Sequence, residues 1–337
     1  MSDKAKINRR ERIISLSLYA LLFIVWSTTF FKYFGIGFYK KYFQVPLTMI
    51  FGSFLGGFTC EGGGAVAFPV FTKVLHIDPR VTRDFSFAIQ SIGMTFASIT
   101  ILLRRIKIEA RVALFAILGG LVGIVIGTYK IVPYVSPTQT RLIFTLVVTS
   151  FGVALFLKNF LFKVKAKGSI ENFKLKDAFI IGIIGLFGGL FSSMIGTGIH
   201  FITFSVVTLL YRLDEKVATP TSIIIMASDS IFGFILRRFV IEQFSAQAIE
   251  FWMLCIPVVA LFAPLGAIVC SKVSRVFIVK FLLLLIGLEL ISTLFILKFN
   301  FYTILLSIVV IAVSFCLYLS LIKLSKRFTN EGLGRGV

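Results

Sequence analysis

Cys60-Glu61-Gly62-Gly63-Gly64 sits inside an apolar run that extends from residue 45 to residue 75. Inside a continuous helix each glycine costs roughly 1 kcal/mol relative to alanine. Three in a row suit a point where the backbone turns sharply or lets something approach closely. The flanking segments, 46–58 and 65–75, are each too short to cross a bilayer comfortably as an ideal helix. The expectation is two half-helices meeting at a glycine break at membrane depth. Non-helical backbone is tolerated there only where protein buries it or it lines a wet cavity. A second object of this kind appears in the other half of the chain, at Gly196-Thr197-Gly198.

Composition supports the membrane setting. Of 337 residues, 58% are hydrophobic, and mean hydropathy is +0.98. Apolar runs long enough to span recur from end to end, which predicts an all-α polytopic membrane protein. The short alternating strands of a membrane β-barrel are absent from the pattern. Cys60, Cys255, Cys270 and Cys316 fall in apolar segments without CxxC spacing, so buried thiols are expected rather than disulfides or a zinc site. The net charge of +20 is explained by basic loops facing the cytoplasm and anionic lipid, with no nucleic-acid partner. Lys4, Lys6, Arg9, Arg10 and Arg12 precede an apolar run at 13–31 that continues to Lys32 without a small-residue cleavage site, so a retained first helix is expected rather than a signal peptide. No nucleotide-binding loop, zinc motif or catalytic-triad spacing is visible. Ser193 and His200 lack a third group to orient them as a hydrolytic dyad. Neither enzymatic activity, a cofactor nor a metal is expected.

Besides the broken segments at 45–75 and 178–211, eight spanning helices are expected at 13–31, 83–103, 111–131, 139–157, 217–236, 247–269, 275–297 and 300–323. The polar connection at 158–177, with Lys158, Lys163, Lys165, Lys167, Lys174 and Lys176, divides the chain into halves. Gly56-Gly57 before the first break is answered by Gly188-Gly189 before the second. Asp78-Pro79-Arg80-Val81 is answered by Asp214-Glu215-Lys216-Val217, and three spanning helices follow each. That order is the mark of an internal repeat. Re-entrant broken segments gather Arg104, Arg105, Lys107, Arg111, the linker lysines, Lys272, Arg275, Lys323, Lys326 and Arg327 on the side of the N-terminus. Full crossings would split those clusters, so the positive-inside rule favours re-entry and a cytoplasmic location for both termini. A hairpin plus three crossings is odd, so the second half enters from the opposite face. The predicted plan is a basic tail and first helix (1–44), repeat 1 (45–157), a basic cytoplasmic linker (158–177), repeat 2 (178–297), and a last helix with its tail (298–337).

Inverted repeats with interrupted helices are a signature of secondary transporters, with substrate held near the midplane. Half-helices that start after Gly64 and Gly198 aim backbone N–H groups and positive dipole ends at the break, which suits a small anion. Gly62, Gly63, Gly64, Gly196, Thr197 and Gly198 would touch that substrate, with Ser192 and Ser193 adding hydroxyls, Gln90 a neutral amide, and Arg83 a positive charge at the outer mouth. The competing reading for the small residues is close helix packing, and for Gly119, Gly123 and Gly127, in a helix without a break, packing is expected. Arg83 and Asp84 also read as a plain surface pair. Glu61 is either a protonated coupling group or a structural cap paired with Arg83. Asp229 and Glu289 are intramembrane acids, functional by default, with Asp229 a proton-coupling candidate, or they face a buried hydroxyl or Arg141. His200, just past the second break, is a further proton-coupling candidate, whereas His76 lies in a loop.

At these residues the chain resembles the sulfite exporter TauE/SafE family, also called the toluene sulfonate uptake permease (TSUP) family, as a divergent branch. The family's Gly-rich stretch followed by proline is matched by Cys60-Glu61-Gly62-Gly63-Gly64 and Pro69, and more weakly by Gly196-Thr197-Gly198. Val217-Ala218-Thr219-Pro220-Thr221-Ser222 looks like its A-x-x-T-S element. Cys60 stands where a glycine is usual, Glu61 where members carry an apolar residue, and Arg83-Asp84-Phe85-Ser86 departs from the pattern. The resemblance covers roughly residues 45–297 and implies a secondary transporter of sulfite or an organosulfonate, working by alternating access. An anion channel and a non-transporting sensor or assembly module are the alternatives.

Overall fold

The computed structural model describes residues 3–59, 70–161, 165–296 and 301–333. A long helix α1 (Asp3–Tyr33) leads through the short α2 (Ile36–Lys41) to α3 (Gln44–Phe58). After a π-helical turn at Val70–Val74, the first half continues as α4 (Pro79–Leu103), α5 (Ala110–Lys130) and α6 (Pro137–Phe156). The second half comprises α7 (Leu175–Ile195), α8 (Ile199–Leu209), α9 (Glu215–Ile235), α10 (Ala246–Lys272) and α11 (Arg275–Ile296), and α12 (Phe301–Leu333) follows.

Among the described residues, seven helices, α1, α4, α5, α7, α10, α11 and α12, carry stretches long and apolar enough to cross a membrane. Leu16, Leu21, Ile24, Leu284, Leu288, Ile308 and Val313 point outward as only a lipid-facing surface tolerates. The chain is an integral, multi-pass membrane protein. Helix α9, with 21 residues, joins the same two faces. Glu215 at its start pairs with Arg275 at the start of α11, while Arg237 just past its end pairs with Asp84 near the start of α4.

The helix starts follow local chemistry. Asp78 and Asp214 each accept a hydrogen bond from the backbone two residues on, Arg80 N–H at 2.6 Å and Lys216 N–H at 2.8 Å. With these caps, and Pro79 at the first position, α4 and α9 begin earlier than their apolar runs suggest.

Each broken segment leaves on the face where it entered. The Tyr211 hydroxyl beyond α8 donates to Asp177 Oδ1 in the first turn of α7, at 3.1 Å. Burial, and then the Asp177 carboxylate, push the Tyr211 phenol above its usual range, which keeps its proton in place. The Tyr42 and Phe71 rings on either side of the first broken segment both pack on Phe251, near the start of α10. Phe58 at the far end of α3 meets Phe281 of α11. The described ends of the first broken segment therefore lie on the face opposite to the one from which the α7–α8 hairpin enters. The arms of that hairpin are unequal: α7, with 21 residues, is about 30 Å long at 1.5 Å per residue, more than the half-helix expected, because its apolar run continues unbroken to Gly196. Helix α8, with 11 residues, covers about half that distance.

Glycine seams join the halves crosswise. Cβ atoms on Gly119 and Gly123 of α5 would fall 1.9 Å and 2.1 Å from the Gly182 and Leu186 carbonyl oxygens of α7. Conversely, Cβ atoms on Gly185 and Gly189 would strike the Ala116 and Gly120 carbonyls. In the other seam, Gly57 of α3 meets the Ala263 carbonyl of α10, and Gly266 meets that of Phe54. The ladder of Gly119, Gly123 and Gly127 thus serves packing: backbone lies against backbone.

The linker is docked against both halves. Lys167 exchanges backbone hydrogen bonds with Arg212 and Asp214 at 2.8 Å. Arg111 donates to the Ile170 carbonyl and to Glu109, which accepts the Ile170 N–H in turn. This end of the bundle is the linker face, and the opposite end, where a cavity opens, is the vestibule face.

Candidate functional site

The second break lies at the tip of the α7–α8 hairpin, pressed against α4. Helix α7 stops at Gly196 in the left-handed region (φ 85°), and Gly198 holds φ 149° before α8 begins. A Cβ on Gly196 would lie 2.4 Å from the Arg83 carbonyl oxygen, so glycine is required both for the turn and for the approach of α4.

A small polar network covers this tip. Gln90 Nε2 on α4 donates to the Gly196 carbonyl at 3.4 Å, and Thr197 Oγ1 donates to Gln90 Oε1 at 3.4 Å. Thr197 Oγ1 also lies 3.3 Å from His200 Nε2. The hydroxyl has one proton; when Gln90 takes it, Thr197 accepts from His200 Nε2–H, which sets the imidazole tautomer. Gln90, Thr197 and His200 are all buried. Contacts at the long end of the hydrogen-bond range are easily exchanged for those of a ligand. An amide, a hydroxyl and an imidazole at one glycine tip supply neutral donors to a small anion without adding a competing negative charge.

Ser192 and Ser193 turn inward. Ser192 Oγ accepts the Ile199 N–H at 2.9 Å, bridging the break from within the hairpin. Ser193 Oγ donates to the Leu190 carbonyl at 2.6 Å and occupies the space that Gly127 leaves on α5. Asp229 of α9 faces the Ser192 hydroxyl, and its Oδ1, buried beside Gly120, has no hydrogen-bond partner among the described residues. A bare carboxylate oxygen in such a place is costly. Glu289 is spent differently: its Oε1 accepts from Thr145 at 3.0 Å and Thr293 at 3.3 Å, tying α6 to α11.

Above the tip a cavity of about 1050 Å³ opens at the vestibule face. Its lining includes Arg80, Arg83, Asp84, Arg237, Phe244 and Met194, which lies two residues before Gly196. Arg83 and Asp84 are not a surface pair. Asp84 Oδ1 accepts from Arg237 Nε at 2.8 Å and from Arg83 Nε at 3.3 Å, and Oδ2 accepts the Ser245 N–H at 3.0 Å. The Asp84 and Arg237 side chains are each 3% exposed, and that of Arg83 is 12% exposed.

Gln90, Gly196, Thr197, Gly198 and His200 therefore gather in one place, Asp229 joins them through Ser192, and Arg83 lies on the cavity side. Gly62, Gly63, Gly64 and Glu61 lie outside the described residues. Sequence reasoning missed Arg237, which reads only as half of the basic pair Arg237-Arg238 at a helix end.

No match was found to a curated protein or to a solved structure. A family model described as sulfite exporter TauE/SafE matches residues 45–294, and the chain belongs to that family.

Proposed function

We propose that the protein is a secondary transporter of a small sulfur oxyanion, sulfite or an organosulfonate, which is bound at the glycine tip by Gly196, Thr197, Gly198, Gln90 and His200. The observation that carries the reading is that this tip, with its loosely paired donors, lies beneath an open cavity. Family membership supplies the sulfur chemistry. The opposed placement of the broken segments' described ends and the crosswise glycine seams support an inverted repeat, rocking by alternating access. Asp229, linked to the tip through Ser192, is the coupling group. The clustering of basic residues supports a cytoplasmic linker face, with the vestibule opening outward, and the plasma membrane is the setting of this reading.

The test is sulfite flux into proteoliposomes, with and without a proton gradient. Saturable flux is expected. Thr197→Val, which keeps the shape and removes the hydroxyl, lowers it about tenfold, and Asp229→Asn removes the response to the gradient. No flux of any sulfur anion from folded protein would overturn the reading.

A further inference from the structure

Three arginines and two aspartates line the cavity, and their distribution is uneven. Asp78 is occupied by the Arg80 backbone N–H as the cap of α4. Among the described residues, Asp84 is the one carboxylate that the two innermost guanidiniums share. Arg237 spends Nε on Asp84 and Nη2 on the Gln243 carbonyl. Arg83 makes a single hydrogen bond, from Nε at 3.3 Å, which leaves both of its terminal nitrogens without a partner among the described residues. Among the described residues, one positive charge at the cavity floor is thus uncompensated, on a group largely shielded from bulk water. A guanidinium presents its donors as a planar fork that matches an oxyanion.

We propose that Arg83 and Arg237 form a second, shallower oxyanion site at the floor of the vestibule, with Asp84 as its built-in competitor. An incoming anion takes the free fork of Arg83 first and then shares Arg237 with Asp84. Asp84 also holds the Ser245 N–H at the start of α10, so occupancy loosens the tie between α4 and the connection from α9 to α10. The site stands directly over the glycine tip, since the Arg83 carbonyl is the atom that a Cβ on Gly196 would strike. It therefore passes its ligand on over a short distance. The inference rests on the transport reading only for the choice of sulfite as probe.

The test is equilibrium binding of sulfite, and of sulfate beside it, to the full-length protein in neutral detergent by isothermal titration calorimetry. Arg83→Gln is expected to weaken binding about tenfold or more, the loss of one charge-assisted contact. Arg83→Lys should recover part of it, and Asp84→Asn should tighten binding. Gel filtration and a thermal midpoint establish that each variant is folded. The Arg83 variants keep the proposal testable should Asp84→Asn fail to fold, because Arg83 contributes only one long hydrogen bond. Binding that is the same in Arg83→Gln and the unaltered protein overturns the site. Weaker binding in a folded Asp84→Asn variant overturns the competitor role. Binding that depends on Arg83 without any flux leaves this site standing and removes the transport reading. Flux whose half-saturation is indifferent to Arg83→Gln does the reverse.

Discussion

At the vestibule face two guanidiniums share Asp84 beside an open cavity. At the linker face the arrangement is closed. Glu215 is fully buried and accepts from Lys158 Nζ at 3.1 Å, while Arg275 donates both to Glu215 and to Asn159. The Lys158 side chain is 1% exposed. Each cluster gathers an acid near the start of a corresponding helix, α4 or α9, with cations from distant segments. The acid is outnumbered in both. The difference is access: a ligand reaches Arg83 through the vestibule, whereas nothing replaces Glu215 for Lys158. One cluster suits exchange, and the other suits holding the linker face shut in this conformation.

The comparison breaks most sharply at Glu215. Glu215→Gln leaves the Lys158 ammonium buried without its counter-ion, and removing one partner of such a pair costs about 3–5 kcal/mol. The expected outcome is a large fall in the thermal unfolding midpoint in detergent, with added sulfite or sulfate giving no recovery. A midpoint within a degree or two of the unaltered protein would mean that the linker face is not held by this carboxylate.

Asp84→Asn should cost less, about 2 kcal/mol, because the amide still accepts one hydrogen bond and the arginines border an open cavity. Sulfite or sulfate should restore much of the lost midpoint, since an anion in the vestibule takes over the carboxylate's place. Equal recovery at Glu215→Gln and Asp84→Asn would erase the distinction between the faces.

What was legible in the chain follows from how local each feature is. The break at Gly196-Thr197-Gly198 and the glycine ladder of α5 act within a turn or two, or through the absence of a side chain, and so they show in the residues themselves, whereas 78–81 and 214–217, which read as loops, are capped first turns. The length of α9 was legible in spite of Asp229, because the apolar residues around the acid still set it. The docked linker was not, since a run of lysines reads as solvated while its anchoring is done by the backbone at Lys167 and Ile170. Nor was the pairing of Asp84 with Arg237, or of Lys158 with Glu215, because charge alone does not say which partner lies across the fold. At the glycine tip, residue type marked Gln90 and Thr197 as donors facing the break. It gave no hint that Ser192 turns its oxygen to the Ile199 N–H, a choice made by the hairpin's closure.

The smallest effect separates charge from geometry at the closed face. Arg275 is 26% exposed at its side chain and reaches two acceptors with one planar group. Arg275→Lys keeps the positive charge beside Glu215 but gives up the fork that also holds Asn159. The loss is one hydrogen bond to a neutral acceptor, about 1 kcal/mol, and a correspondingly small drop in the unfolding midpoint. If charge holds this face, Glu215→Gln exceeds Arg275→Lys severalfold. Comparable losses would instead make the planar fork the essential part and Lys158 a bystander. The linker face would then open by reorienting one arginine rather than by separating a buried pair.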